Sequence, residues 1–269
     1  MERIIVCIKG VPRPGTVKVD PETHTLKRES AELILNPPDR AALEMAMRLR
    51  ERYGVEVVVM SMGPPNVAPL LKEAFALGAD ELILLSDRAF AGADTLATSR
   101  VLAQAIRGLT PFSLVIMGLK SVDGETAQVP PETAAILNLP SVINVIDISY
   151  SNNRFYLTRE TNYGEEELEV EPPLIISMNP KLEYFRPPSL KRLLQARDLS
   201  FKSMTAQDLN LAEDLLGLKG SPTQVAGVFE KVFSQRGEVW KGEPEELADK
   251  LINLLREKGL LQKLALINR

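Results

Sequence analysis

"SLVIMGLKSVDGETAQVPPETAAIL", residues 113–137, carries the unit that decides the fold: an apolar β-rich run, a polar turn and a segment with helical spacing. The run "SLVIMG" (113–118) is short, mostly apolar and bounded by turn chemistry, the pattern of a strand buried on both faces of a parallel sheet. Gly118 permits close backbone approach at the strand exit, and Asp123-Gly124 makes a turn whose amides can form an anion-binding nest. Thr126 is expected to open the next helix, whose free N–H groups and positive dipole end favour a pyrophosphate. Pro130-Pro131 fits a first-turn position. A helix N-cap with an Asx turn accounts for the same residues without a ligand, and the residues alone leave both readings open.

The alternation extends outward from this unit. Strands are expected at "RIIVCI" (3–8), "VEVVVMSM" (55–62), "ELILLS" (81–86) and "PLIISM" (173–178). Between them, a helix from Asp39 to Tyr53 places Ala42, Met45, Ala46 and Leu49 on one face and stops at Gly54. Asn66 is expected to cap a second helix ending at Gly78, and Asp94 or Thr95 a third running to about Gly108. Strands alternating with helices predict an α/β fold with a parallel-core sheet flanked by helices.

Three stretches interrupt the rhythm. Residues 13–35, with "VKVDPETHTLKRE", read as a hairpin or exposed excursion, and His24 within it as solvated. Residues 154–171 are two alternating runs joined around Asn162 to Gly164, a hairpin that widens the sheet. After "NPKLEYFRPPS" only a short helix near Leu190 to Ala196 is legible in what reads as an arm. The last helix, 243–259, has an acidic first turn, a basic last turn and an apolar face of Leu247, Leu251 and Leu254, as a docked terminal helix should. The expected division is an α/β nucleotide-binding domain over 1–183, an arm over 184–242, and a C-terminal helix and tail over 243–269.

Composition narrows the function. Lys plus Arg number 32 against 36 Asp plus Glu, and a net charge of -4 argues against wrapping nucleic acid or lying on an anionic membrane. A single Cys7 excludes an internal disulfide and a multi-thiolate metal site, and a single His24 removes most His-based triads. With no apolar run near the ~18 residues of a membrane span, no membrane insertion is expected and the setting reads as reducing and cytoplasmic. There is no P-loop and no G-x-G-x-x-G after any expected strand. The strand ends at Cys7 to Gly10, 61–66, 86–95 and 118–128 nevertheless form a candidate ligand rim, because open parallel sheets bind at the carboxyl ends of their strands.

Asn36-Pro37-Pro38-Asp39 is a rigid strand-to-helix turn able to present the Asn36 side chain and backbone to an adenine or ribose edge, with simple N-capping by Asp39 as the plainer account. Cys7, inside an apolar run, reads as a small core residue or backbone contact rather than a nucleophile, and Glu165 to Glu167 as a solvent face. No nucleophile, base and orienter occur together, so neither a catalytic residue nor a metal ligand is assigned.

Taken in order, "CIKGVP", "NPPDRAALEMAMRL", "VVVMSMGP", "LKEAFALGADELILL", "AGADTLATSRVLAQAI" and "MGLKSVDGETAQVPPETAAILNLP" resemble the electron-transfer flavoprotein β subunit in sequence and spacing. The resemblance covers roughly 3–200, and "GLKGSPTQV" with the terminal helix resembles a tail found in part of that family. It implies an adenine-nucleotide α-hydrolase-like, Rossmann-like fold, and an obligate α subunit embraced by the arm, whose C-terminal domain holds an FAD. It also implies an adenine nucleotide on this chain, bound by Cys7, Asn36, Pro37, Pro38, Asp39, Met62, Gly118, Asp123, Gly124, Glu125, Thr126, Ala127, Gln128, Val129, Pro130, Thr133 and Ala134.

Respiratory members of the family place AMP there; flavin-bifurcating members bind a second FAD. The small residues Gly124, Thr126 and Ala127 resemble the second group, because a ribityl chain and isoalloxazine need room to leave the loop. In that group the flavin takes a hydride from NADH and divides the electron pair between ferredoxin or flavodoxin and the α-subunit FAD. The segment that docks a dehydrogenase in the family aligns with "RPPSLKRLLQARDLSF", placing Pro188, Ser189, Leu190, Lys191, Leu193 and Leu194 at that contact with Leu190 as anchor. The lysine run of mitochondrial-type members is here "QARDLSFKS", and an ordinary packing role is the alternative for Leu190.

Overall fold

Along β1 (Arg3–Ile8) Ile4 and Val6 face one way, and Ile5 and Cys7 the other; each set is buried in its own apolar layer. The computed structural model describes residues 1–14, 18–19, 26–27, 32–182, 184–225 and 237–260. The chain continues through β2 (Gly10–Pro12), β3 (Lys18–Val19), β4 (Leu26–Lys27), β5 (Leu33–Leu35), α1 (Pro37–Tyr53), β6 (Val57–Met62), α2 (Ala68–Leu77) and β7 (Glu81–Leu85). It proceeds through α3 (Thr95–Arg107), β8 (Phe112–Gly118), α4 (Val129–Leu137), β9 (Ser141–Ser151), β10 (Arg154–Thr161), β11 (Gly164–Val170) and β12 (Leu174–Met178) to α5 (Leu190–Ala196), β13 (Lys202–Met204) and α6 (Pro244–Glu257).

One sheet organises the described residues, in the order β11-β10-β9-β12-β8-β1-β6-β7-β13. Every pairing from β9 through β13 is parallel, and β10 and β11 add the antiparallel hairpin expected around Asn162 to Gly164. Helices α1 and α2 cover one face with Ala42, Met45, Leu49 and Leu71 against Ile4, Val59 and Ile116. On the other face Val101, Leu102 and Ile106 of α3 and Ala134 of α4 meet Ile5, Met60, Ile83 and Val115. Each such fully buried Val, Leu, Ile or Met side chain contributes about 1.5–3 kcal/mol, so this double cover holds the central strands and positions their ends. Helix α1 stops at Gly54, whose φ of 67° lets its amide close on the Arg50 carbonyl at 2.8 Å.

Several expectations are corrected. Strand β9 was not expected: Ile176 pairs with Val142 but Met178 with Val145, so β9 carries one extra residue, and Asn144 at φ 62° breaks the period-two pattern. Strand β13 was not expected either, three residues being too short to show a period. Asn66 does not cap α2; it lies inside the 3₁₀ turn Pro65–Val67, with α2 starting at Ala68. Asp94 does cap α3, accepting from the Ala97 amide at 3.0 Å. Of the excursion over 13–35, β3 and β4 form the described part of an antiparallel ladder and β2 pairs with β5, while His24 lies outside the described residues.

The chain divides into two compact units, Met1–Val228 and Phe229–Arg269. The described residues of 184–225, expected to reach out as an arm, lie on the first unit. Arg186 binds Glu44 at 2.9 Å, α5 packs on α2, β13 pairs with β7, and Leu209 and Leu216 enter the second apolar layer. In the second unit α6 has no buried residue, and Leu251 and Leu254 of its apolar face are exposed.

Candidate functional site

Parallel register brings the candidate rim to one edge. Cys7 is level with Met60 on one side and Met117 on the other, which carries the exits of β6, β1 and β8, at Met62, Lys9 and Gly118, to neighbouring positions. Successive strands β1, β6 and β7 step in one direction and β8 returns to the other flank of β1, so the exits of β1 and β8 border a topological switch point. The loop 119–128 crosses this edge before α4 begins.

Three side chains fasten the loop. Asn36, 1% exposed, donates from Nδ2 to the Lys120 carbonyl at 3.0 Å and accepts the Val122 amide on Oδ1 at 3.1 Å. Asp39 accepts the Lys9 amide on Oδ2 at 2.7 Å and the Gly118 amide on Oδ1 at 3.2 Å. Lys9 Nζ donates to both Asp123 oxygens at 2.8 and 2.9 Å and to Ser121 Oγ at 3.4 Å. The Asn36 side chain, expected to face an adenine or ribose edge, is engaged by the loop on both its Nδ2 and its Oδ1. Asp39 is not an N-cap either; it sits in the first turn behind Pro37 and Pro38 with its carboxylate turned to the strand exits. Gly118 is required here, because a Cβ would lie 2.7 Å from the Asp39 nitrogen and from the Pro38 carbonyl carbon.

The helix also starts later than expected. Helix α4 begins at Val129 with Gln128 as its N-cap residue, and Thr126 lies in the loop before it. The backbone strain is not at Gly124, whose φ is ordinary and whose added Cβ would meet only Ser121 Oγ at 3.3 Å. It is at Glu125 and Ala127, non-glycine residues at φ 53° and 56°, each held at a cost of roughly 1–2 kcal/mol. Ala127 in the left-handed region followed by Gln128 at φ -91°, ψ -30° makes the left–right alternation that turns successive amides toward one point. Among the described residues, the amides of Thr126, Ala127, Gln128 and Val129 make no hydrogen bond to the protein. Four free donors at strand exits and a helix start suit a phosphate or pyrophosphate group.

The remaining site candidates fall into two places. Thr133 and Ala134 are buried in α4, the threonine hydroxyl donating to the Val129 carbonyl at 2.7 Å and the alanine packing in the core, while Pro130 is buried at the helix start. Cys7 is buried too, and burial, then the nearby Asp39 carboxyl, push its thiol far up, so it is no nucleophile. Burial likewise pushes Asp39 up, to about 7, against the lowering pull of Asn36 and the Lys9 and Gly118 amides. Burial raises Asp123 as well, but the Lys9 ammonium outweighs it and holds that carboxyl below its usual range.

Lys9 and the bridging role of Asp39 were not foreseen. The one available signal was a carboxylate two residues inside a helix that starts at a strand exit. Nor was the pairing of α3 with α4 through Glu132, which accepts from Thr95 Oγ1 and Ser99 Oγ at 3.1 Å each, with Gln128 Oε1 3.2 Å from the same Thr95 hydroxyl. Among the described residues no group of acidic, His or Cys side chains could hold a metal, and no helix is long and apolar enough to cross a membrane.

The second candidate surface is α5. Ser189 precedes it and donates its amide to the Ala76 carbonyl at 3.0 Å; Arg192 stacks 4.1 Å from the Phe75 ring centroid and donates to the Ala79 carbonyl; Ala196 is buried. These contacts leave Leu190, Leu193 and Leu194 turned out, with Leu190 73% exposed beside exposed Lys191 and half-buried Pro188. An ordinary packing role for Leu190 is therefore set aside.

Comparison with known proteins gives the family. The family described as the electron transfer flavoprotein domain matches residues 23–208. The electron transfer flavoprotein subunit beta of Thermoanaerobacterium thermosaccharolyticum is 39% identical over 259 residues, 96% of this chain and 99% of its own length. The subunit CarD of the caffeyl-CoA reductase-Etf complex of Acetobacterium woodii is 40% identical over 261 residues, 96% and 100% of the two chains. Protein FixA of Azotobacter vinelandii is 37% identical over 257 residues, 91% of each. With the sheet, the switch-point rim and these matches in agreement, the chain belongs to the electron transfer flavoprotein family, as a beta-type electron-transfer subunit.

Proposed function

We propose that the chain binds FAD at the exits of β8, β1 and β6. With an α-type partner it would transfer electrons from NADH or a dehydrogenase, dividing each pair between a low-potential acceptor, such as ferredoxin or flavodoxin, and the partner's flavin. The observation that carries this reading is the run of free amides from Thr126 to Val129, opened by left-handed Glu125 and Ala127. These amides would hold the diphosphate, the exits at Cys7 and Met62 would flank the adenosine, and Asn36 and Lys9 would hold the loop in place. Bound FAD would supply the electron-carrying ring, for which this chain provides orientation and exclusion of water. Gly124, exposed and needing no left-handed backbone, keeps the loop open on the side where a ring larger than AMP would leave.

Relatives lend support through their names. CarD is a subunit of a reductase–Etf complex, and the acryloyl-CoA reductase electron transfer subunit gamma of Anaerotignum propionicum is 34% identical over 268 residues. Partner contact is assigned to the stretch 184–242 and the terminal helix, and dehydrogenase contact to Leu190, Leu193 and Leu194, an exposed apolar cluster on a helix fixed from below. The proposed setting is cytoplasmic. Counting nucleotides in the heterodimer purified with its α-type partner tests the reading. Two FAD per heterodimer with NADH oxidation are expected; one FAD and one AMP, with electrons accepted only from an acyl-CoA-type dehydrogenase, would replace it with conventional carriage. A stable isolated chain with no affinity for any partner would leave only a nucleotide-binding module.

A further inference from the structure

Among the described residues the other buried carboxylate, Glu44, faces cations, meeting Arg186 and Arg48. Asp39 is answered differently. It is 5% exposed, and both its oxygens are taken by main-chain amides, those of Lys9 and Gly118. The ladder between β1 and β8 ends at the Cys7–Met117 pair, and these amides lie just beyond it. The carboxylate therefore continues a pairing that the strands themselves give up at the switch point. Its helix start is pressed onto the exit of β8, where Gly118 has no room for a Cβ. From that exit the chain runs directly into the loop held by Asn36 and Lys9.

We propose that Asp39 is a positioning residue for the nucleotide: its ionised carboxylate ties the exits of β1 and β8 together and thereby sets where the free amides of the loop stand. The inference rests on the reading of this rim as a nucleotide site. Burial pushes the Asp39 carboxyl up to about 7, so its ionisation changes in the neutral range. Facing it from β1 are the Cys7 thiol, itself pushed far up and neutral, and Lys9, whose ammonium is engaged by Asp123; β8 contributes the Gly118 amide. Above about 7 both amides have an acceptor; below it a proton occupies one oxygen and that clasp weakens. Nucleotide affinity rises as pH increases through this value.

The test uses the heterodimer, stripped of nucleotide and titrated with FAD between pH 6 and 8.5. FAD is the chosen probe because a phosphomonoester such as AMP takes up a proton near pH 6 on its own account. Wild type should bind several-fold more tightly at the upper end, with an inflection near 7. Asp39→Asn should bind about tenfold more weakly with no inflection, since one of its two acceptors becomes a donor. Gly118→Ala, which disturbs the same clasp from the strand side, should also weaken binding. Hydrogen exchange should quicken at the Lys9 and Gly118 amides of Asp39→Asn while the amides within β1 stay protected. Asp39→Asn with wild-type affinity and an unchanged inflection would overturn the inference and leave the nucleotide site standing. Absence of an inflection in wild type overturns it with no variant needed, and a wild type that binds no nucleotide at all overturns both.

Discussion

Asp39 and Glu44 are buried carboxyls five positions apart on α1, and they titrate in opposite directions. For Glu44, burial works upward but the Arg186 and Arg48 guanidinium groups more than reverse it, so its stabilisation is present above the ordinary carboxylate range and lost as pH falls below it. For Asp39, burial dominates and the folded protein holds the proton up to about 7. The unfolded chain releases it near 4, so this residue stabilises the fold fully below that value and its contribution disappears as pH rises through about 7. Urea unfolding of wild type and Asp39→Asn should therefore show a stability difference that favours wild type more at pH 5 than at pH 8. A difference constant with pH would show that Asp39 is ionised in both states. The carboxylate that orders the rim at high pH is thus held there against the preference of the fold, as is common where strain serves a site.

Helix α5 shows how an element can be exposed and fixed at once. Its seven residues are too few to hold a helix on their own, and Arg186, Arg192 and Ala196 fasten the segment to α1 and α2. Glu44→Ala leaves the Arg186 guanidinium without its most buried partner and should lower the unfolding free energy by about 3 kcal/mol, measured by urea denaturation. Leu190→Ala, by contrast, should change stability by less than about 0.5 kcal/mol, because the side chain is 73% exposed. It should slow electron transfer with a partner dehydrogenase, and an unimpaired rate would remove Leu190 from the contact. At this scale the long periodic elements were legible: β1, β6, β7, β8 and β12 all lie where their apolar runs predicted. Strand β9 was not, because its bulge at Asn144 changes which residues face the core, and the start of α4 was misplaced at Thr126 because left-handed Ala127 interrupts the approach to the helix.

At the scale of the whole chain, the two compact units differ in how they are held. The first has two apolar layers on either face of the sheet; in the second, α6 has acidic residues in its first turn and Arg256 in its last, but no buried side chain. A chain of residues 1–228 should keep a cooperative urea transition of its own, since both apolar layers lie within it, and should bind the α-type partner less tightly. A large loss of stability would show that the terminal segment supports the first unit.

The sequence by itself determined β1, β6, β7, β8 and β12, the helices between them, the widening hairpin and the edge at which the strand ends gather, because each of these depends on local periodicity and turn chemistry. Composition, with one Cys and one His, excluded an internal disulfide and a multi-thiolate metal site. Tertiary structure alone decided that β8 returns beside β1, that Asn36 faces inward, and that Asp39 joins two strand exits 79 residues from its Gly118 partner. No local pattern encodes such contacts, since they arise only when parallel strands distant in sequence are brought into register. The loop of 119–128 thus owes its polar, permissive sequence to its own turn, and its position to side chains far away in the chain, Asn36 and Asp39 at the start of α1 and Lys9 beyond β1.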